Sequence, residues 1–158
     1  MLGSAYDVNT ATESVNKGNP NVKYESGLPT VLLVEDTEDN RQMMRHLLQM
    51  SGFYVVEATN GKEAVQLARE IDPEIILMDL SLPIIDGLAA TREIRSDPDF
   101  SNVPIVAVSA HDTADFHNDA LNAGCDAYVT KPINYSELEE LVNRLLQDKR
   151  RPLPGRSA

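Results

Sequence analysis

The sequence predicts an α/β domain: a five-stranded, doubly wound parallel sheet carrying five helices. Short apolar runs rich in β-branched residues alternate along the chain with segments of helical period. At 158 residues, 42% hydrophobic and 25% charged, the chain has the size and composition of one domain with a proper core. Parallel strands need crossover helices, and right-handed crossovers lay those helices on both faces of the sheet.

Residues 1–28 are rich in Asn, Ser, Thr and Gly without apolar periodicity and read as a disordered N-terminal tail, leaving the domain at 29–148. Val31 to Glu35 is the first strand, and Met43, Met44, Leu47 and Leu48 mark the inward face of the first helix. "FYVVEA" is the second strand. The helix in "TNGKEAVQLAREID" has a capping box from Asn60 to Glu63, turns Ala64, Val65, Ala68 and Ile71 inward, and stops at Pro73. "EIILMD" is the third strand, Gly87 to Arg95 the third helix and "PIVAVSA" the fourth strand. A weaker fourth helix, Thr113 to Asn122, closes at Gly124. "AYVT" is the fifth strand. The last helix carries a stripe of Leu138, Leu141, Val142, Leu145 and Leu146 behind a capping box from Asn134 to Glu137. Residues 149–158, with two prolines and a glycine, read as a C-terminal tail.

Composition narrows the functions. Fourteen basic against 25 acidic residues give a net charge of −11, which would repel a phosphate backbone and argues against direct nucleic-acid binding. Cys125 is the only cysteine, so the chain forms no internal disulfide, in keeping with a cytoplasmic address; it reads as a small buried hydrophobe. No apolar run approaches the roughly 20 residues that span a bilayer, so no membrane partner is expected.

In a doubly wound fold, ligands gather outside the carboxyl ends of the strands. Those ends carry Glu35 and Asp36, Asp79, Ser109, and Thr130 with Lys131. Each residue alone has an ordinary reading as a cap, a turn or a solvated surface group; their convergence on one rim favours a site. Three carboxylates brought together repel one another and raise at least one pKa unless a divalent cation offsets them. Magnesium, hard and oxygen-seeking, suits the set, with manganese as an alternative. With its charge offset, Asp79 can act as a nucleophile toward a phosphoryl group, with Lys131 stabilising the transferring oxygens and Ser109 bonding one of them. His111, two residues past Ser109, borders the path of an attacking water.

These residues in this order resemble the response-regulator receiver domain of two-component signalling, over about residues 29 to 148. The motifs are "LLVED" with Glu35 and Asp36, "LMDLSLP" with Asp79, "AVSA" with Ser109, and "YVTKP" with Lys131. The resemblance implies a flavodoxin-like strand order 2-1-3-4-5 and Asp79 as phosphoacceptor. It also implies direct metal contacts from Asp36, Asp79 and the Ser81 main-chain carbonyl, with Glu35 more often acting through water; Glu35 is longer than the aspartate many members carry there. Ser109 and Tyr128 become switch residues, Ser81 and His111 tune dephosphorylation, and the bond between Lys131 and Pro132 is cis. The implied partners are a histidine kinase or histidine phosphotransfer protein and a downstream effector, bound through the face of the fourth helix, fifth strand and fifth helix. A stand-alone receiver, a monomer or weak dimer that promotes only its own phosphoryl transfer, is the expected form. A receiver excised from a hybrid kinase and a pseudo-receiver that only binds partners are the alternatives. A flavodoxin-like cofactor carrier is disfavoured, because "EDTEDN" in the first loop would repel a phosphate. A haloacid dehalogenase-type phosphatase would need its nucleophile after the first strand.

Overall fold

The computed structural model describes residues 27–82 and 86–150. Apart from residues 27, 28, 149 and 150, both expected tails lie outside the described residues. In chain order the elements are β1 (Thr30–Val34), α1 (Glu38–Met50), β2 (Tyr54–Ala58), α2 (Gly61–Ile71), β3 (Ile75–Asp79) and α3 (Gly87–Arg95). A 3-10 turn (Pro98–Phe100) precedes β4 (Ile105–Ser109), α4 (Ala114–Ala123), β5 (Ala127–Thr130) and α5 (Tyr135–Arg150). The strands run β2-β1-β3-β4-β5, all pairs parallel, which is the order the resemblance implies.

Alternate residues of each strand point to opposite faces, and the sheet therefore has two cores. Leu32, Val34, Ile76, Met78 and Ala107 pack with α2, with Ala90 and Ile94 of α3 and with Ala120 of α4. Val31, Leu33, Ile75, Leu77 and Val106 pack on the other face with Met44 and Leu48 of α1 and with Leu138, Val142 and Leu146 of α5. Hence β1, β3 and β4 are buried along their whole length, whereas edge strand β5 is half-buried throughout.

Local signals set the boundaries. Asn60 caps α2 by accepting from the Glu63 amide at 2.8 Å, while the Glu63 carboxylate returns to the amide of Thr59, one residue earlier than a reciprocal box requires. Thr113 caps α4 and Gly124 ends it in the left-handed region, φ 115°. The Glu137 amide donates to Asn134 Oδ1 at 3.2 Å, as the second capping box predicts. Two packing expectations are corrected. Met43 is exposed, because one step around the helix from Met44 already leaves the narrow stripe that meets the sheet. Phe53 is buried but precedes β2 rather than belonging to it. No helix among the described residues is long and apolar enough to cross a membrane.

Candidate functional site

Glu35 and Asp36 follow the last residue of β1, Asp79 ends β3, Ser109 ends β4 and Lys131 follows β5. These four strands are consecutive in the sheet, so the parallel register brings their ends to one rim. Oxygens of the Glu35, Asp36 and Asp79 carboxylates lie within 4.8 Å of one another. Glu35 and Asp79 are buried, at 6% and 3% exposure, and Asp36 is open to solvent. Lys131 Nζ stands between the buried pair, 3.6 Å from Glu35 Oε1 and 3.5 Å from Asp79 Oδ2. The Lys131–Pro132 bond is cis.

One ammonium faces three carboxylates. Burial, with the nearby Asp79 charge adding to it, pushes the Glu35 carboxyl above its ordinary range, although the Thr37 amide and Lys131 pull the other way. The Glu35 carboxylate is therefore disfavoured in this pocket without further positive charge. The clustered oxygens form a hard donor set with a net negative excess, and they fit a divalent cation such as magnesium.

Backbone groups orient the acids. Asp79 Oδ1 accepts from the Ser81 amide at 3.0 Å, and Glu35 Oε2 accepts from the Thr37 amide at 3.0 Å. Ser81 is exposed beside Asp79. Ser109 Oγ accepts from the His111 amide at 3.1 Å, and the Lys131 amide donates to the Ser109 carbonyl at 2.8 Å, tying the ends of β4 and β5 together. The Tyr128 ring packs against the first core, and its hydroxyl donates to the His111 carbonyl at 2.6 Å. The structure thus brings Glu35, Asp36, Asp79 and Lys131 together, with Ser109 at the end of the adjoining strand and Ser81 two residues past Asp79; Tyr128 and His111 lie on the β4–α4 side.

Three features escaped the sequence reading. Gly87 begins α3 so close to the end of β3 that a Cβ there would collide with the Asp79 carbonyl oxygen and lie 2.7 Å from the Leu80 Cα. The only signal was a glycine directly after Asp86, which caps α3 through the Ala89 amide at 2.8 Å. Arg41 reaches the carbonyls of Glu35 and Asp36. His117 stacks on Tyr128 at 3.9 Å and lies 2.8 Å from Asp112 Oδ1, which also accepts from Thr130 Oγ1 at 3.2 Å. The Asp112 carboxyl is held below its usual range by those two hydrogen bonds, His117 first.

The family model of the response regulator receiver domain matches residues 31–143. The chain belongs to the response-regulator receiver family. This receiver is 36% identical over 119 residues to the polar-differentiation response regulator DivK of Brucella anthropi, a match covering 75% of this chain and 97% of DivK. It resembles the receiver domain of a sensor histidine kinase from Pseudomonas aeruginosa, with TM-score 0.71 and 34% identity over 75% of this chain and 98% of that one. That structure carries a magnesium ion coordinated in its active-site cleft. The chemotaxis protein CheY4 of Vibrio cholerae is similar at TM-score 0.72 and 25% identity, over 75% of this chain and 98% of that one. The receiver is accordingly a two-component signalling domain, of a family that acts as switches between histidine kinases and effectors.

Proposed function

We propose that this receiver accepts a phosphoryl group on Asp79 from a phosphohistidine donor in a magnesium-dependent reaction, and that phosphorylation then changes protein binding at the face made by α4, β5 and α5. The observation that carries the proposal is the buried Asp79 carboxylate, clustered with Glu35 and Asp36 and facing Lys131 at 3.5 Å.

Glu35, Asp36, Asp79 and the Ser81 main-chain carbonyl would hold the cation. When bound, it neutralises the acidic cluster and the transferring phosphoryl oxygens. A carboxylate oxygen of Asp79 forms the new bond to phosphorus as the bond from phosphorus to the donor histidine nitrogen breaks, the electron pair staying with that nitrogen. Lys131, already within reach of Asp79, pairs with a phosphoryl oxygen. The Ser109 hydroxyl accepts from the His111 amide, which leaves its own hydrogen to donate to another. In donating it, Ser109 moves toward the phosphoryl group and draws on the β4–α4 loop, to which Tyr128 is joined through the His111 carbonyl, so Ser109 and Tyr128 would form the switch. Ser81 and His111 flank the group and set the rate of hydrolysis. A groove of about 570 Å³ beside β5 and α5, lined by Tyr128, Thr130, Asn134, Glu137, Leu141 and Arg144, supports an effector surface there.

Coverage of 97% of DivK supports a receiver of the stand-alone type. We further propose that the domain at 29–148 acts in the cytoplasm as a monomer or weak dimer, and the net charge of −11 supports protein rather than nucleic-acid partners. Likeness to a receiver domain of a sensor kinase supports the alternative of a domain from a hybrid kinase, and the open reading frame of the gene decides between them. Incubation with acetyl phosphate and magnesium should add one phosphoryl mass to the wild type and none to Asp79→Asn. A variant that still gains the mass refutes the assignment, and a wild type that never gains it favours a pseudo-receiver.

A further inference from the structure

We propose that Arg41 is a positioning residue for the cation site, holding the turn that carries Glu35 and Asp36 in place against Asp79. The inference rests on the reading that these three carboxylates hold a divalent cation. Arg41 Nη1 donates to the main-chain carbonyls of Glu35 at 3.2 Å and of Asp36 at 3.4 Å. Its Nε lies 3.3 Å from Glu57 Oε1, and Arg45 Nη1 lies 2.8 Å from Glu57 Oε2. Arg41 and Arg45 are four residues apart on α1, so both side chains lie on one face and meet the same carboxylate. Glu57 stands on β2 opposite Leu33 of β1, and the Glu35 amide donates to the neighbouring Ala58 carbonyl at 3.0 Å. The relay thus runs from a sheet position, through an ion pair without a hydrogen bond to an arginine side chain that is only 17% exposed, to both acidic residues of the turn.

That turn lacks the usual local support. Thr37, at the N-cap of α1, makes no side-chain cap hydrogen bond, and its amide is taken by the Glu35 carboxylate. Arg41 supplies the restraint from one turn further along the helix. A planar guanidinium can address two carbonyls and a carboxylate at once; a lysine ammonium in its place offers a point charge on a mobile stem.

A purely electrostatic role predicts the opposite sign. Arg41 is a cation near an acidic cluster, and by charge alone its removal would strengthen divalent binding. Removing a residue that orients metal ligands weakens it, typically by about 10–100-fold.

Magnesium titration by calorimetry on the full chain separates these, with unfolding in EDTA followed alongside. Arg41→Gln should weaken magnesium binding roughly tenfold, and Arg41→Lys should not restore it although the charge is kept. Glu57→Gln should weaken it in the same direction. Unchanged or tighter binding by folded Arg41→Gln overturns the inference, as does lower stability in EDTA with unchanged affinity, which is the mark of a merely structural arginine. If the Arg41 variants fail to fold, Arg45→Gln decides: it releases Glu57, so the relay predicts weaker magnesium binding while charge alone predicts tighter, and unchanged or tighter binding there counts against the relay. A wild type that binds no magnesium overturns the cation reading and the inference with it. Wild-type binding that Asp36→Asn loses and Arg41→Gln keeps overturns the inference alone.

Discussion

Gly87 and Asp79 meet through backbone rather than side chain. The first turn of α3 approaches the end of β3 closely enough that the Gly87 amide donates to the Leu80 carbonyl at 3.3 Å, and the absence of a Cβ permits the approach. Gly87→Ala should therefore displace either α3 or the Asp79 backbone, costing about 1–3 kcal/mol as an overpacked site does. Urea unfolding measures the cost, and phosphorylation by acetyl phosphate should slow in the same variant; wild-type values for both would show that the contact yields freely. Cys125 needs no functional role. It is buried, chiefly burial pushes its thiol up to about 11, and so it remains protonated across the physiological range. The rim acids were legible because ionisable residues directly after apolar strands stand out in a sequence. Gly87 was not, because a glycine at a helix start has many innocent readings and its neighbour across the gap is set by packing.

The helices differ in how firmly they are held, and α4 is the weakest anchored. Its buried residues are two alanines, Ala120 and Ala123, whereas Leu121 is 56% exposed and Phe116 stacks its ring on His111. By contrast α2 buries Val65, Leu67 and Ile71 as well as its alanines. Two alanines exclude little apolar surface, so α4 depends on its Thr113 and Gly124 caps and on the contacts of His117 with Tyr128 and Asp112. Amide hydrogen exchange should accordingly be faster in 114–123 than in α2 or α5, and equal protection would remove the case for α4 as the movable element. Low apolar content made this helix weak in the sequence too. Its ring stacking and its link to Thr130 were invisible there, because they join side chains brought together by a crossover.

Across the whole molecule, three acids from the ends of two strands share a pocket with one lysine, so folding itself gathers like charges. A cation that binds the folded chain and not the unfolded one stabilises it by mass action. Magnesium at ten times its dissociation constant should add about 1.4 kcal/mol of stability, or about 5 °C in melting temperature for a domain of this size, and Asp36→Asn should lose most of that gain. A wild type whose melting temperature is the same in magnesium and EDTA would count against the site. The same architecture explains why the fold could be read so fully: alternating strand and helix periods name the layers, and a series of βα units permits few ways of stacking them.

The order of apolar and polar residues was sufficient for the layers, the caps at Asn60, Gly124 and Asn134, and the nomination of Glu35, Asp36, Asp79, Ser109 and Lys131 as one rim. Periodicity and strand ends are properties of neighbouring residues, and they survive without knowledge of distance. Only the tertiary structure decided that Arg41 grips the acidic turn from Glu57, that Gly87 lies against Asp79, and that Tyr128 is bonded to His111 beneath His117. Those contacts join groups from different elements through particular rotamers and separations of a few ångströms, and no local pattern along a chain encodes such distances.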